Sequence, residues 1–224
     1  MPDVQFAPHI GSRTEPGWAT PQELAGPRLQ EALDWCGASL GTDRRDIQGQ
    51  RLVEIVAWYL ALPAAAALLT GGRFPDLRSG NVRVWIGDDP PGGIGTALRE
   101  QGAHPADEAA CVAGLRAALI EHLAPLVDAV NAATRRPASA LWRGMRDRVA
   151  GAFVWVGEQT GLSERCGELA RAAVAGPVEL RTLDEQLLHV REGCCLYYRC
   201  DAGTKCLSCP LLDDEARRRL LAAL

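Results

Sequence analysis

The sequence predicts a mainly helical α+β protein carrying a small cysteine-rich segment. Three observations predict it. Apolar residues recur at spacings of three and four over most of residues 29 to 174. Only a few short runs alternate as strands do, the clearest being Val82-Arg-Val-Trp-Ile86. Five of the eight cysteines (Cys194, Cys195, Cys200, Cys206 and Cys209) fall within sixteen residues, while Cys36, Cys111 and Cys166 are scattered. The expected division is an irregular arm over 1–27, a mainly helical body over 28–185 and the cysteine-rich segment with a terminal helix over 186–224.

Taken in order, the arm is rich in proline and glycine and packs through Trp18. A helix over Leu29–Gly41 places Leu29, Leu33, Cys36 and Leu40 on one face, which makes Cys36 a core residue. A second helix runs from Asp46 to Leu62, is kinked or broken at Pro63, and gives way to a shorter one closed by Gly71-Gly72. Gly87–Gly95 is a turn-rich loop without the spacing or the Lys-Ser/Thr of a phosphate loop. Residues 106–133 form a long helix, with His122 on its apolar stripe as a satisfied core histidine. Ser139 is the expected cap of a helix reaching Thr160, with Gly161 at its end. A further helix spans Ser163–Val174, with Cys166 structural. Two short strands or extended segments follow, over 178–183 and 187–191. Asp213-Asp214-Glu215 opens the last helix, whose Arg217-Arg218-Arg219 run reads as a solvated face.

Composition bounds the function. A chain of 224 residues, 47% apolar and 23% charged, is neither disordered nor collagen-like. A net charge of −4 gives no electrostatic footprint for nucleic acid. Among 24 basic residues only Lys205 is a lysine, a bias that reflects codon composition more than function. The apolar stretch Leu52–Leu69 contains Glu54, Pro63 and many alanines, so it is expected to be a buried helix and not a transmembrane segment. No secretory pattern opens the sequence, and the expected location is the cytoplasm. Eight cysteines there do not describe a disulfide framework.

The spacing of the clustered cysteines points to a metal. Cys206-x-x-Cys209 is a chelating pair whose tight turn puts both sulfurs on one side. Cys194 and Cys195 are adjacent, and successive side chains of an extended chain face opposite ways. The backbone must turn between them, or they must reach two metal atoms. A binuclear centre accommodates this more easily than one ion, and a [2Fe–2S] cluster takes four thiolates, two per iron. A structural zinc site is the alternative, although zinc knuckles usually present two separated pairs.

Two adjacent cysteines, ten residues, a cysteine, two residues and a final cysteine is a pattern that resembles the FhuF-type ferric siderophore reductases. Those positions are Cys194, Cys195, Cys206 and Cys209. Leu196-Tyr-Tyr-Arg199 and Cys209-Pro-Leu211 are also similar to that family, as more weakly is Ala138–Val149. Nothing in the first hundred residues resembles it, and Cys200 is not one of the four positions. The resemblance implies a [2Fe–2S] cluster held by the four cysteines. It also implies one-electron reduction of a ferric siderophore, such as one of hydroxamate type, in the cytoplasm. Ferrous iron binds the same hard oxygens much less strongly than ferric iron, so reduction is release. Electrons would come from a separate ferredoxin or flavoprotein, since no nucleotide fingerprint is present. Lys205 and Arg199 flank the ligands and would ease reduction, and Tyr197 and Tyr198 would pack over the cluster. His189 is a weaker candidate to replace one thiolate, as in Rieske centres. An electron carrier or sensor without turnover is the rival to the enzyme, and a concavity beside the cysteines would favour the enzyme.

Overall fold

The computed structural model describes residues 6–89, 95–104, 107–201 and 203–223. Gly93-Ile94 of the glycine-rich loop and the expected start of the long helix at Ala106 lie outside them. Seven α-helices occur among the described residues: α1 (Pro21–Leu24), α2 (Leu29–Leu40), α3 (Arg45–Thr70), α4 (Glu108–Thr134), α5 (Ala138–Thr160), α6 (Ser163–Val174) and α7 (Asp214–Leu221). Four short strands, β1 (His9–Ile10), β2 (Trp18–Ala19), β3 (Val82–Trp85) and β4 (Thr96–Leu98), form a sheet in the order β1-β4-β3-β2. A separate antiparallel hairpin joins β5 (Glu179–Leu183) to β6 (Gln186–Val190). This is the mainly helical α+β fold expected from the sequence.

The arm is more ordered than its composition suggests. β1 pairs parallel with β4 and β2 pairs antiparallel with β3, setting Trp18 opposite Trp85 with ring centroids 5.5 Å apart. Gly17, at φ +98°, permits the close approach: a Cβ there would fall 2.6 Å from the Trp85 ring. Thr20 then caps α1 through a reciprocal pair of bonds with Glu23. The irregular-arm expectation fails because burying Trp18 outweighs the local turn preferences.

Helix α3 is the central element, packed against α2, α4 and α5, and nearly every residue after its first turn is buried. Both α3 and α4 are long and apolar enough to cross a membrane by length and composition, but 89% of the most apolar window of α3 is buried inside the protein. The break expected at Pro63 does not occur, and α3 is continuous from Arg45 to Thr70. Proline has no N–H to offer the carbonyl four residues back, which is that of Tyr59. The hydroxyl of Thr96 donates to that carbonyl at 2.6 Å, so the sheet supplies the bond the helix lacks. Gly71, at φ +76°, ends the helix.

The other helices follow their expected spans closely. His122 is fully buried, with Nε2 2.7 Å from the Leu77 carbonyl and Nδ1 3.3 Å from Gln22 Nε2. The predicted Ser139 cap is not used: Pro137, with extended backbone, delivers the chain into α5 at Ala138 without a side-chain cap.

Replacing Thr96 by the isosteric valine should orphan the Tyr59 carbonyl. Urea unfolding should register a loss of about 1–3 kcal/mol, with α3 still helical by circular dichroism.

Candidate metal centre

The site is built outward from a buried charge. Glu54, on α3, is fully buried, and a carboxylate there must be paired. Arg191 binds it through both terminal nitrogens, and Arg148 donates from Nε at 3.0 Å. Gln50 Nε2 and the Tyr197 hydroxyl donate at 2.7 and 3.1 Å. Burial pushes the Glu54 carboxyl up, but Arg191 and Arg148 more than reverse this and hold it at about 2. Arg191 and Tyr197 bracket Cys194-Cys195, so the carboxylate fastens both ends of that dipeptide to the helical body.

Three further anchors fix the backbone around the cysteines. Asp147, on α5, accepts the N–H groups of Glu192 and Gly193 at 2.8 and 3.0 Å. Arg136 donates to Gln50 Oε1 and to the Cys194 carbonyl, each at 3.0 Å. Arg217, on α7, donates to the carbonyls of Leu207 and Cys209 at 3.1 and 2.8 Å. The sequence reading placed Arg217 on a solvated face, whereas it is only 3% exposed. Five N–H donors on a rigid fork let one guanidinium hold two carbonyls of a turn.

The chain reverses at Leu196, at φ +65°, and runs through a 3-10 turn at Tyr197–Arg199. The Tyr197 N–H points at the Cys195 sulfur, and the thiols of Cys195 and Cys206 are hydrogen-bonded to each other. That bond lowers the Cys206 pKa, aided by Ser208, Arg191 and Arg148, and raises that of buried Cys195. The Cys209 N–H donates to the Cys206 carbonyl at 2.9 Å, closing the Cys-x-x-Cys turn. Cys200 is buried within the electrostatic reach of Arg44. Among the described residues, no three Cys, His, Asp or Glu side chains are gathered closely enough to hold a metal ion. The structure brings Cys195 and Cys206 together; Cys194 and Cys209 are not gathered with them.

The donor set nonetheless suits an iron–sulfur group: soft sulfurs, an acidified thiol, an N–H directed at sulfur and nearby guanidinium groups that offset thiolate charge. Lys205 and Arg199 are exposed, and the cations that act on Cys206 include Arg191 and Arg148. Tyr197 turns inward to Glu54, under Arg51 at 5.7 Å from its ring centroid. His189, on β6, is buried with Nε2 3.5 Å from Asp147 Oδ1. Burial, then Arg191 and Arg148, push its pKa down to about 4, whereas burial raises that of Asp147 to about 6. A cavity of about 420 Å³ opens between α5, β6 and the Cys206–Cys209 turn, with Cys206 in its wall.

These features define a helical α+β protein with a thiolate-rich redox-metal segment locked to its core. Residues 191–211 match the family model of the FhuF 2Fe-2S C-terminal domain, and the cofactor of this segment is a [2Fe–2S] cluster. No curated protein matches the chain, and no solved structure matches it.

Glu54→Gln should remove about 3–5 kcal/mol of stability in chemical denaturation, because buried Arg191 and half-buried Arg148 lose their counter-charge. His189 should leave a pH signature. A histidine with a depressed folded pKa contributes fully above its unfolded value of 6.5, and the contribution is lost as pH falls toward about 4. The stability gap between wild type and His189→Gln should therefore shrink from pH 7.5 to pH 4.5, read as the difference in urea midpoints.

Proposed function

We propose that this protein is a cytoplasmic ferric-siderophore reductase acting on chelates of the hydroxamate type. The observation that carries the reading is the FhuF 2Fe-2S match over residues 191–211, on a segment whose Cys206 opens onto a cavity. A sulfur at the edge of a concavity suits a chelate better than it suits a carrier exposing its centre on a flat surface. Cys194, Cys195, Cys206 and Cys209 are the proposed ligands. The Cys195–Cys206 contact supports pairing across the two halves of the segment, and Cys200 lies within reach of Arg44 instead. When bound, a [2Fe–2S] cluster supplies one electron, which takes chelated Fe(III) to Fe(II), and a separate ferredoxin or flavoprotein replaces that electron. The chain's own part is to hold the four sulfurs, to offset their charge with Arg191 and Arg148, and to keep the Tyr197 N–H directed at Cys195.

Protein purified without oxygen should be reddish-brown, with about two irons and two sulfides per chain. Cys206→Ser should abolish the colour and Cys200→Ser should keep it. Adding a ferric trihydroxamate to the chemically reduced protein should restore the oxidised spectrum while a ferrous trap colours. A reduced spectrum that persists with hydroxamate, catecholate and carboxylate chelates alike would sink the reductase reading.

A further inference from the structure

Resting on that reading, we propose that an acidic ferredoxin docks on the arginine-rich face around Cys194, made by the α4–α5 link, the first two turns of α5 and the Cys194–Cys200 turn. The electron enters at Cys194 and leaves at Cys206. One electron passes from the reduced iron of the ferredoxin, which is oxidised, to the centre held by the four cysteines, which is reduced. No bond forms or breaks and no proton moves.

The proposed ligands are not equally covered. Cys194 and Cys206 are half-buried, while Cys195 and Cys209 are buried. Cys206 lies in the wall of the cavity beside α5 and β6, and Cys194 is not among the residues that line it. A chelate seated at the Cys206 edge therefore leaves the Cys194 edge to the donor.

Charge distinguishes the two edges. Arg148 and Arg191 line the cavity, but both are bonded to Glu54. Around Cys194 the cations are unmatched. Residues 135–148 hold five arginines and one acid, in a chain of net charge −4. Arg146 and Arg148 are paired with Glu192 and Glu54. Arg136 bonds neutral oxygens, those of the Gln50 amide and the Cys194 carbonyl. Arg135 is exposed, and Arg143 sits against the residue before Cys194, since a Cβ on Gly193 would fall 3.2 Å from its own. Across the turn, Arg199 bonds the Tyr198 hydroxyl and Arg51 lies over the Tyr197 ring. None of these five arginines makes an ion pair among the described residues. The nearby acids are Asp46, held by Arg44, Glu192, held by Arg146, and exposed Asp43 and Asp201. Five unpaired guanidiniums against two unpaired carboxylates leave the face positive. Tyr198 and Leu196 stand half-buried among them, and arginine with an aromatic residue is the composition of a protein interface. A positive face steers an acidic protein toward it and speeds encounter. The centre takes one electron at a time, and an iron–sulfur carrier delivers one.

The test is stopped-flow reduction of the cluster-loaded full-length chain by a reduced, acidic plant-type [2Fe–2S] ferredoxin. Raising sodium chloride from about 0.05 to about 0.5 M should slow the second-order rate by about tenfold or more. Arg143→Glu should slow it by about fivefold or more. Arg116→Glu makes the same change of charge roughly 27 Å before the end of α4 and should slow it by less than about twofold. Iron content, sulfide content and the spectrum after dithionite should match wild type in both variants. If Arg143→Glu lowers the iron content, Arg135→Glu on the exposed link takes its place. Equal rates in wild type and the charge-reversed variant, a rate indifferent to salt, or faster reduction by an acidic flavodoxin overturns the proposal. Reoxidation by a ferric trihydroxamate separates the two claims. Normal reoxidation with ferredoxin rates indifferent to Arg143 discards the docking face and keeps the reductase. Reduction that depends on salt and on Arg143, without any reoxidation, keeps the face and discards the reductase.

Discussion

The ion cluster around Glu54 is the constraint on which the site depends. A carboxylate inside an apolar helix is tolerable only because Arg191 and Arg148 reach it, and each of those arginines is in turn buried or half-buried around it. The arrangement is one-sided in its consequences. Removing either sign leaves an unpaired charge out of water, which is worse than having built the site from apolar residues. The cysteine segment contributes one of the two guanidiniums, so the helical body and the metal segment complete one another electrostatically and not merely by packing.

The same logic explains why arginine predominates near the cysteines. Arg136, Arg191 and Arg217 each bind more than one oxygen, and the acceptors include the carbonyls of Gly193, Cys194, Leu207 and Cys209. A lysine ammonium is a compact point charge and does not span two acceptors in a fixed plane. The backbone that carries the sulfurs is thus clamped by planar cations from the α4–α5 link, from the residue that follows β6 and from α7, and these clamps leave the thiols themselves free for metal.

The helices were legible because their apolar spacing is regular and their ends carry glycine, as at Gly41, Gly71 and Gly161. The cysteine segment was legible because its spacing is unusual. What escaped were features whose partners lie far away in the chain. Thr96 rescues the helix at Pro63 from thirty-odd residues off, a contact no local rule anticipates. The strands of the arm depend on Trp18 meeting Trp85. Glu54 and Asp147 carried no signal beyond being acids in apolar helices, although a lone Glu amid alanines and leucines is itself a hint that something must answer its charge. Arg217 was hidden by its arginine neighbours, since only one face of α7 turns inward. The turn at Asp184–Glu185 was equally opaque, because both residues adopt positive φ without the usual Gly or Asn.

The separation of the Glu54 ion cluster along the chain bears on how the protein is made. Arg148 and Arg191 follow Glu54 by 94 and 137 residues. At ribosomal speeds of roughly 5–20 residues per second, α3 emerges on the order of ten seconds before its counter-charges exist. Throughout that interval the most apolar helix of the molecule carries an unanswered anion. Newborn chains must wait in an incomplete state, and the metal segment is the piece whose arrival ends the wait.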